Sequence, residues 1–282
     1  MAITRFKAQK ARTLLSFYLL FLPFLLNGQV QKGSVLSTET NSGIGFVNIG
    51  IIGKNVGTVT DEKGNFIINI DPGFDNDSLM FSIIGYEPVT FSVKQFKPLP
   101  EKKIYLKPLI YNLKEVRVSA RASKMVTMGI QVKSSNLLSG FAYNNPGAEL
   151  GINITVRKPV MLTDLNLNVA RCTIDSVKYR LNVYQLEGNG KYRNILVRPV
   201  YLAFSKEKIK KVITFDLRNY SIRIEGVVLI TMELYKALGA GNLLFYTDPK
   251  EDFTWHRKAI EGDWVKTPGE IGVYLHGKLL TE

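Results

Sequence analysis

The chain has 282 residues, 45% of them hydrophobic and 22% charged, which supplies one large core or two modest ones and excludes a disordered polyelectrolyte. Its formal charge is +13, and a single cysteine, Cys172, excludes an internal disulfide.

Residues 1–28 carry Arg5, Lys7, Lys10 and Arg12 without an acid, then a nearly all-apolar run from Leu14 to Leu26, then Asn27 and Gly28. That order predicts a secretory signal peptide cut after Gly28. As a helix the run would extend about 20 Å, short of a hydrocarbon core of about 30 Å, and Pro23 interrupts it, so an uncleaved anchor is the weaker reading. Cleavage would remove four basic residues and lower the formal charge from +13 to +9. No cysteine follows the run to carry a lipid. For an exported basic chain, anionic envelope surfaces or acidic polysaccharide are more relevant polyanions than nucleic acid. A basic protein without such a partner fits the charge equally well.

Residues 29–107 are expected to form a first module. Gln31–Leu36 opens a strand, Ser37–Gly43 is a connection, and Ile44–Ile49 begins the next strand. Asp61-Glu62-Lys63-Gly64 is a hairpin turn: the Asp61 carboxylate can accept from nearby backbone N–H groups, and Gly64 can take a positive φ. Phe66, Ile68 and Ile70 alternate with Ile67, Asn69 and Asp71, the period of a half-buried strand. After the Asp71-Pro72-Gly73 turn come strands at Asp77–Tyr86, Pro88–Val93 and Ile104–Leu106. Short strands this closely spaced predict a Greek-key sandwich of roughly seven strands.

The segments Gly33–Leu36, Phe46–Ile49, Gly57-Thr-Val-Thr-Asp-Glu-Lys-Gly-Asn-Phe66 and Leu79–Tyr86 stand in the order and spacing of the carboxypeptidase regulatory-like domain, which this part of the chain resembles. The resemblance implies a prealbumin-like β-sandwich of the kind found at the N-termini of TonB-dependent receptors and other Gram-negative envelope proteins. It implies that Gly64 and Gly85 serve turns and that Phe66, Phe81 and Tyr86 pack the two sheets together. Asn112–Ala120 is similar to the segment that joins this domain to a receptor plug. Fewer than 165 residues follow Ala120, too few for a 22-stranded barrel, so the chain is not itself such a transporter.

Residues 108–140, with Pro108, Gly129, Gly140 and a basic stretch from Arg117 to Lys124, read as a linker that docks on one domain. Residues 141–282 are expected to form a second, jelly-roll-like sandwich, giving an all-β chain. In Val177–Tyr184 the odd positions are apolar and the even ones are Lys178, Arg180, Asn182 and Tyr184; Gly226–Met232 is apolar on both faces, as in a covered central strand. Further strands are expected at Ile195–Phe204, Lys211–Leu217, Ser221–Leu234, Asn242–Tyr246, Phe253–Arg257 and Ile271–His276. These segments have a loose similarity to jelly-roll modules of the carbohydrate-binding type.

His256 and His276 lie 20 residues apart with Cys172 remote from both, so no metal site or metallopeptidase centre is expected and no cofactor is implied. No Gly-x-Ser-x-Gly elbow and no phosphate loop appear. Glu149, Asp175, Asp216 and Glu233 would form a glycosidase pair only if two of them converged. The ligand candidates are Trp255, Trp264 and Tyr184, with flat faces for sugar rings, and Lys178 and Arg180 as hydrogen-bond donors from the outward face of one strand. Tryptophan and tyrosine serve more often as half-buried packing residues at sandwich edges than as ligand platforms. The charged run Lys206–Lys211 reads as a solvated turn. The sequence thus points to a non-catalytic periplasmic or cell-surface protein that binds glycan or another envelope component. Two alternatives stand beside it: an accessory partner of an outer-membrane receptor, and a hydrolase of envelope polymers. The oligomeric state is not readable at this level.

Overall fold

The computed structural model describes residues 29–109, 124–141, 145–209, 212–236 and 241–280. The expected signal peptide and the segment Asn112–Ala120 lie outside them. Among the described residues no helix is long and apolar enough to cross a membrane. The chain is all-β and built as two sandwiches.

The first sandwich has the seven strands expected of it. Its smaller sheet sets β1 (Gln29–Ser37) between β4 (Asn65–Ile70), antiparallel, and β7 (Lys103–Leu106), parallel. Its other sheet runs β3 (Gly57–Val59), β2 (Asn48–Ile51), β5 (Ser78–Ser82), β6 (Val89–Ser92), all antiparallel. The turn at Asp61–Gly64 forms, but it does not close a hairpin: β3 pairs β2 and β4 pairs β1, so the turn carries the chain from one sheet to the other. Asp61 Oδ1 accepts from the backbone N–H groups of Lys63 at 2.9 Å and Asn65 at 2.8 Å, and Gly64 sits at φ +84°. Phe66, Phe81 and Phe96 meet between the sheets, with Tyr86 packed against them. Phe96 reaches the core from a single helical turn, Val93–Phe96, whose first free N–H groups are answered by Ser92 Oγ accepting from Gln95 N.

The second sandwich begins earlier than its sequence pattern. Of the 108–140 stretch read as a linker, β8 (Met125–Gly129) and β9 (Leu138–Phe141) pair into the second module's sheet, against β19 (Val273–Leu279) and β17 (Leu243–Arg257). Gly129 and Gly140 look like linker residues because of their composition. They are glycines because a Cβ at Gly129 would come 2.4 Å from Val273 O and one at Gly140 2.1 Å from Leu243 O.

The remaining strands are β10 (Glu149–Leu167), β11 (Val169–Cys172), β12 (Ser176–Leu186), β13 (Tyr192–Asn194), β14 (Val200–Ser205), β15 (Ile213–Asp216), β16 (Arg223–Leu234) and β18 (Val265–Ile271). Two long strands carry the chain from one half of the sandwich to the other. β10 pairs β17 through Glu149–Ile152 and β16 through Glu149–Met161, with a register shift between Val156 and Val160 near Pro159, and it pairs β19 through Val160–Leu167 and β15 through Asp164–Leu167. Proline lacks the N–H a continuous ladder needs, so the ladder with β16 shifts register there, and on the other edge β19 takes over from β17. β17 does the same around Pro249, which is why the sequence pattern breaks it into Asn242–Tyr246 and Phe253–Arg257. The odd positions Val177, Tyr179, Leu181 and Val183 of β12 enter the core with Val228, Ile230 and Met232 of β16, as the alternation predicts.

Candidate functional site

The outward face of the second module's sheet is not solvent-exposed where it was expected to be. In strand order β17-β10-β16-β12, the register places Arg257, Glu149, Glu233 and Arg180 in one row across four strands. Opposed residues in a ladder point to the same face, so the four side chains meet. All are buried: Glu233 is 0% exposed, Glu149 and Arg180 1%, Arg257 7%.

Each carboxylate is saturated. Glu233 takes a two-pronged contact from Arg180, Nε to Oε2 at 3.1 Å and Nη2 to Oε1 at 2.6 Å. Glu149 accepts from Arg257 through Nε at 2.9 Å and through Nη2, from Tyr184 Oη at 3.0 Å and from Thr231 Oγ1 at 2.5 Å. The Asn182 amide bridges the pair, donating to Glu149 at 3.1 Å and Glu233 at 2.8 Å. Two carboxylates and two guanidinium groups thus neutralise one another, the condition under which buried charge is tolerated. Burial pushes the Glu233 carboxyl up, but the Arg180 charge and the Arg180 and Asn182 hydrogen bonds outweigh it and hold the group below the ordinary glutamate value. Burial, reinforced by the Glu149 charge, pushes the Tyr184 phenol well up.

The first module covers this row. Arg180 Nη1 donates to Phe46 O at 3.1 Å, and Phe46 holds φ +62°, a left-handed conformation rare for a bulky residue, while its ring packs edge-on against Tyr235 at 4.8 Å. From the other side, the loop after β17 enters a notch in β2 and β3. Ala259 and Ile260 are buried there, a Cβ on Gly50 would lie 2.3 Å from Ile260 O, and Gly53 N donates to Glu261 O at 2.8 Å. Glu261, also left-handed at φ +63°, accepts from Ser82 of β5. Its carboxyl is pushed up by burial, against the pull of Arg257 and with the help of the Glu149 and Glu233 charges.

The expected ligand residues divide accordingly. Arg180, expected as a surface donor, and Tyr184, expected as a stacking face, instead belong to the buried network, because the first module covers the face that the β12 alternation marks as polar. Lys178 is half-buried on the same face and, after Lys236, helps hold the Glu62 carboxyl of the first module low. Trp264 is half-buried, edge-on to Tyr184 at 5.9 Å and with the Arg257 guanidinium 4.5 Å over its ring, so it roofs the network.

Trp255 is placed differently. It is half-buried beside Gly151, edge-on to Tyr192 at 5.9 Å, with Lys266 Nζ 4.4 Å over its ring and 5.9 Å from the centroid of the exposed Phe253. Tyr192 Oη accepts from Asn153 Nδ2 at 2.5 Å. This strip of Phe253, Lys266, Trp255, Tyr192 and Asn153 is the aromatic surface that sequence reading found only in part. Tyr192, on the short β13, carries no periodic signal, and Lys266 lies in a strand the pattern did not mark.

Of the four carboxylates considered for a pair, Glu149 and Glu233 converge; Asp216 instead pairs with Arg218, and Asp175 is exposed. The histidines are separate: His256 meets Thr267 Oγ1 at 3.1 Å and His276 Nδ1 meets Asp164 Oδ1 at 2.7 Å. Among the described residues no group of three or more His, Cys, Asp or Glu side chains is placed to hold a metal ion.

A search of curated proteins returns no match. Among solved structures, the T=1 particles derived from infectious bursal virus align at 11% identity and a TM-score of 0.19, covering 92% of this chain and 64% of that one. The VP2 subviral particle of infectious bursal disease virus aligns at 10% and 0.19, covering 92% and 66%. The chain therefore spans less than two thirds of these viral chains, and at such scores the likeness carries no argument. Residues 31–118 match the family model of the CarboxypepD_reg-like domain. The first of the two sandwiches is therefore a carboxypeptidase regulatory-like domain, joined here to a larger β-sandwich that the match does not reach.

Proposed function

We propose that the chain is an exported, non-catalytic interaction protein of the cell envelope that binds a glycan or another envelope polymer on its second module. The observation that carries this reading is the strip around Trp255. It offers a partly exposed indole, a phenol, an exposed phenyl ring and an amine side by side on one sheet, the combination that stacks on a sugar ring and hydrogen-bonds its hydroxyls. The hydrolase reading is less well supported. A glycosidase acid needs a raised pKa and room for the scissile bond between its carboxyls, whereas Glu233 is held low and the Asn182 amide fills the gap to Glu149. The family match extends to residue 118 and so includes the receptor-like Leu113–Val118, which keeps partnership with an outer-membrane receptor as the second reading.

The test is calorimetric titration of envelope polysaccharides into the purified chain and into its Trp255→Ala and Trp264→Ala variants. Loss of a stacking contact worth about 1–2 kcal/mol should weaken binding about 5- to 30-fold in Trp255→Ala with unfolding unchanged. Trp264→Ala should lower stability instead. Equal affinities for wild type and Trp255→Ala would remove the strip as the site.

A further inference from the structure

We propose that the free edge of β4 pairs antiparallel with the same edge of a second copy of the chain, so that the small sheet β4-β1-β7 continues across a two-fold axis into a dimer. The ladder phase is fixed by Val35 N donating to Gly64 O at 2.8 Å and by the opposition of Gly33 to Phe66 and of Gln31 to Ile68. The main-chain groups of Phe66 and Ile68 therefore turn toward β1, and those of Ile67 and Asn69 turn away from it. Asn65 at the start of the strand is already satisfied, its N–H by Asp61 Oδ1 at 2.8 Å and its carbonyl by Asp61 N at 2.8 Å. Ile67 and Asn69 have no such partner among the described residues, and they leave two donors and two acceptors in a row.

Natural edge strands are usually guarded by a charge, a proline or a bulge. This one is not. Asn65-Phe66-Ile67-Ile68-Asn69-Ile70 carries none of these, and Ile67 on its outer face is 60% exposed. The composition is that of a strand made to be covered.

The charges at its ends indicate by what. Lys63 precedes the strand and Asp71 follows it; both are exposed, and neither forms an ion pair within 4 Å among the described residues. Two copies related by a two-fold axis run antiparallel; in the register that opposes Ile67 of each copy to Asn69 of the other, Lys63 lies diagonally, two positions from Asp71 of the other copy and within reach of its long side chain, whereas parallel pairing would oppose like charges. A groove of about 770 Å³ between the start of β4 and Pro146, Tyr235 and Lys236 leaves room for the incoming strand end. Such a contact is isologous and uses each β4 edge once, so it closes at two copies instead of growing into a fibre.

Sedimentation velocity on the purified chain across a concentration series tests this independently of any ligand. The expected result is a monomer–dimer equilibrium in which Ile67→Lys raises the dissociation constant by at least about tenfold. Lys63→Glu and Asp71→Lys should each weaken the dimer about threefold to tenfold, and the double variant should return to within about threefold of wild type, because the reversed charges again face each other. Thermal unfolding of the dilute monomers should be unchanged, since all three side chains are exposed. A chain that stays monomeric throughout, a dimer indifferent to Ile67→Lys, or single charge reversals whose effects add in the double variant would each overturn the proposal.

Discussion

Replacing Arg180 by methionine keeps most of the aliphatic stem and removes the guanidinium, leaving Glu233 buried with Asn182 as its remaining direct hydrogen-bond donor. Three bonds disappear at once: two to Glu233 and one to Phe46 O, which loses a donor inside the module boundary. Breaking a buried ion pair by deleting one partner typically lowers stability by about 3–5 kcal/mol, because an uncompensated charge stays in a low-dielectric site. The loss here should fall in that range, since both partners are at most 1% exposed. The double variant Arg180→Met with Glu233→Leu removes the stranded charge as well, and should recover at least half of the loss. Urea unfolding followed by circular dichroism measures both at pH 7. In Arg180→Met the defect should shrink on acidification as Glu233 takes up a proton. A single-variant loss below about 1 kcal/mol, or a double variant less stable than Arg180→Met, would refute the claim that this row is a neutralised, interdependent network.

Two further expectations concern the turn and the interface. Gly64→Val should destabilise the first module by about 3 kcal/mol, because φ is +84° and the new Cβ would stand 2.6 Å from Val35 O, whereas Asp61→Ala should lose about 1 kcal/mol with its two backbone hydrogen bonds; equal, small effects on thermal unfolding would contradict the turn. Glu261 has a raised pKa in the folded chain, so its contribution is complete below the ordinary glutamate value and is lost as pH rises through the raised one. Glu261→Gln should therefore match wild type near pH 4 and melt at a higher temperature near pH 8, and the same melting difference at both pH values would contradict that assignment.

What could be read from the sequence was local. Asp61, Gly64 and Phe66 lie within six residues of one another, and their chemistry specifies a turn whatever surrounds it. The alternation in Val177–Tyr184 correctly separated a core face from a polar face. It could not say whether water or a second domain would meet the polar face, since the same pattern serves both. The network's contacts join residues far apart in the chain, Asn182 to Glu149 over 33 positions, Arg180 to Glu233 over 53 and Arg257 to Glu149 over 108, and no periodicity encodes those separations. One signal was available: Glu233 stands between Met232 and Leu234 at the end of an apolar strand, and a carboxylate in such a place requires a buried cation. The pairing of 124–141 into the second sheet was hidden for a related reason, because glycines chosen for close backbone approach look like linker residues.

Binding without catalysis is tested by incubating the chain with whichever envelope polymer it binds while following the release of reducing ends or other cleavage products. The expected result is saturable binding, weakened by Trp255→Ala, with no product above the buffer control. Product release that is abolished by Glu149→Gln or Glu233→Gln in a folded variant would contradict it and assign the buried carboxylates to a reaction.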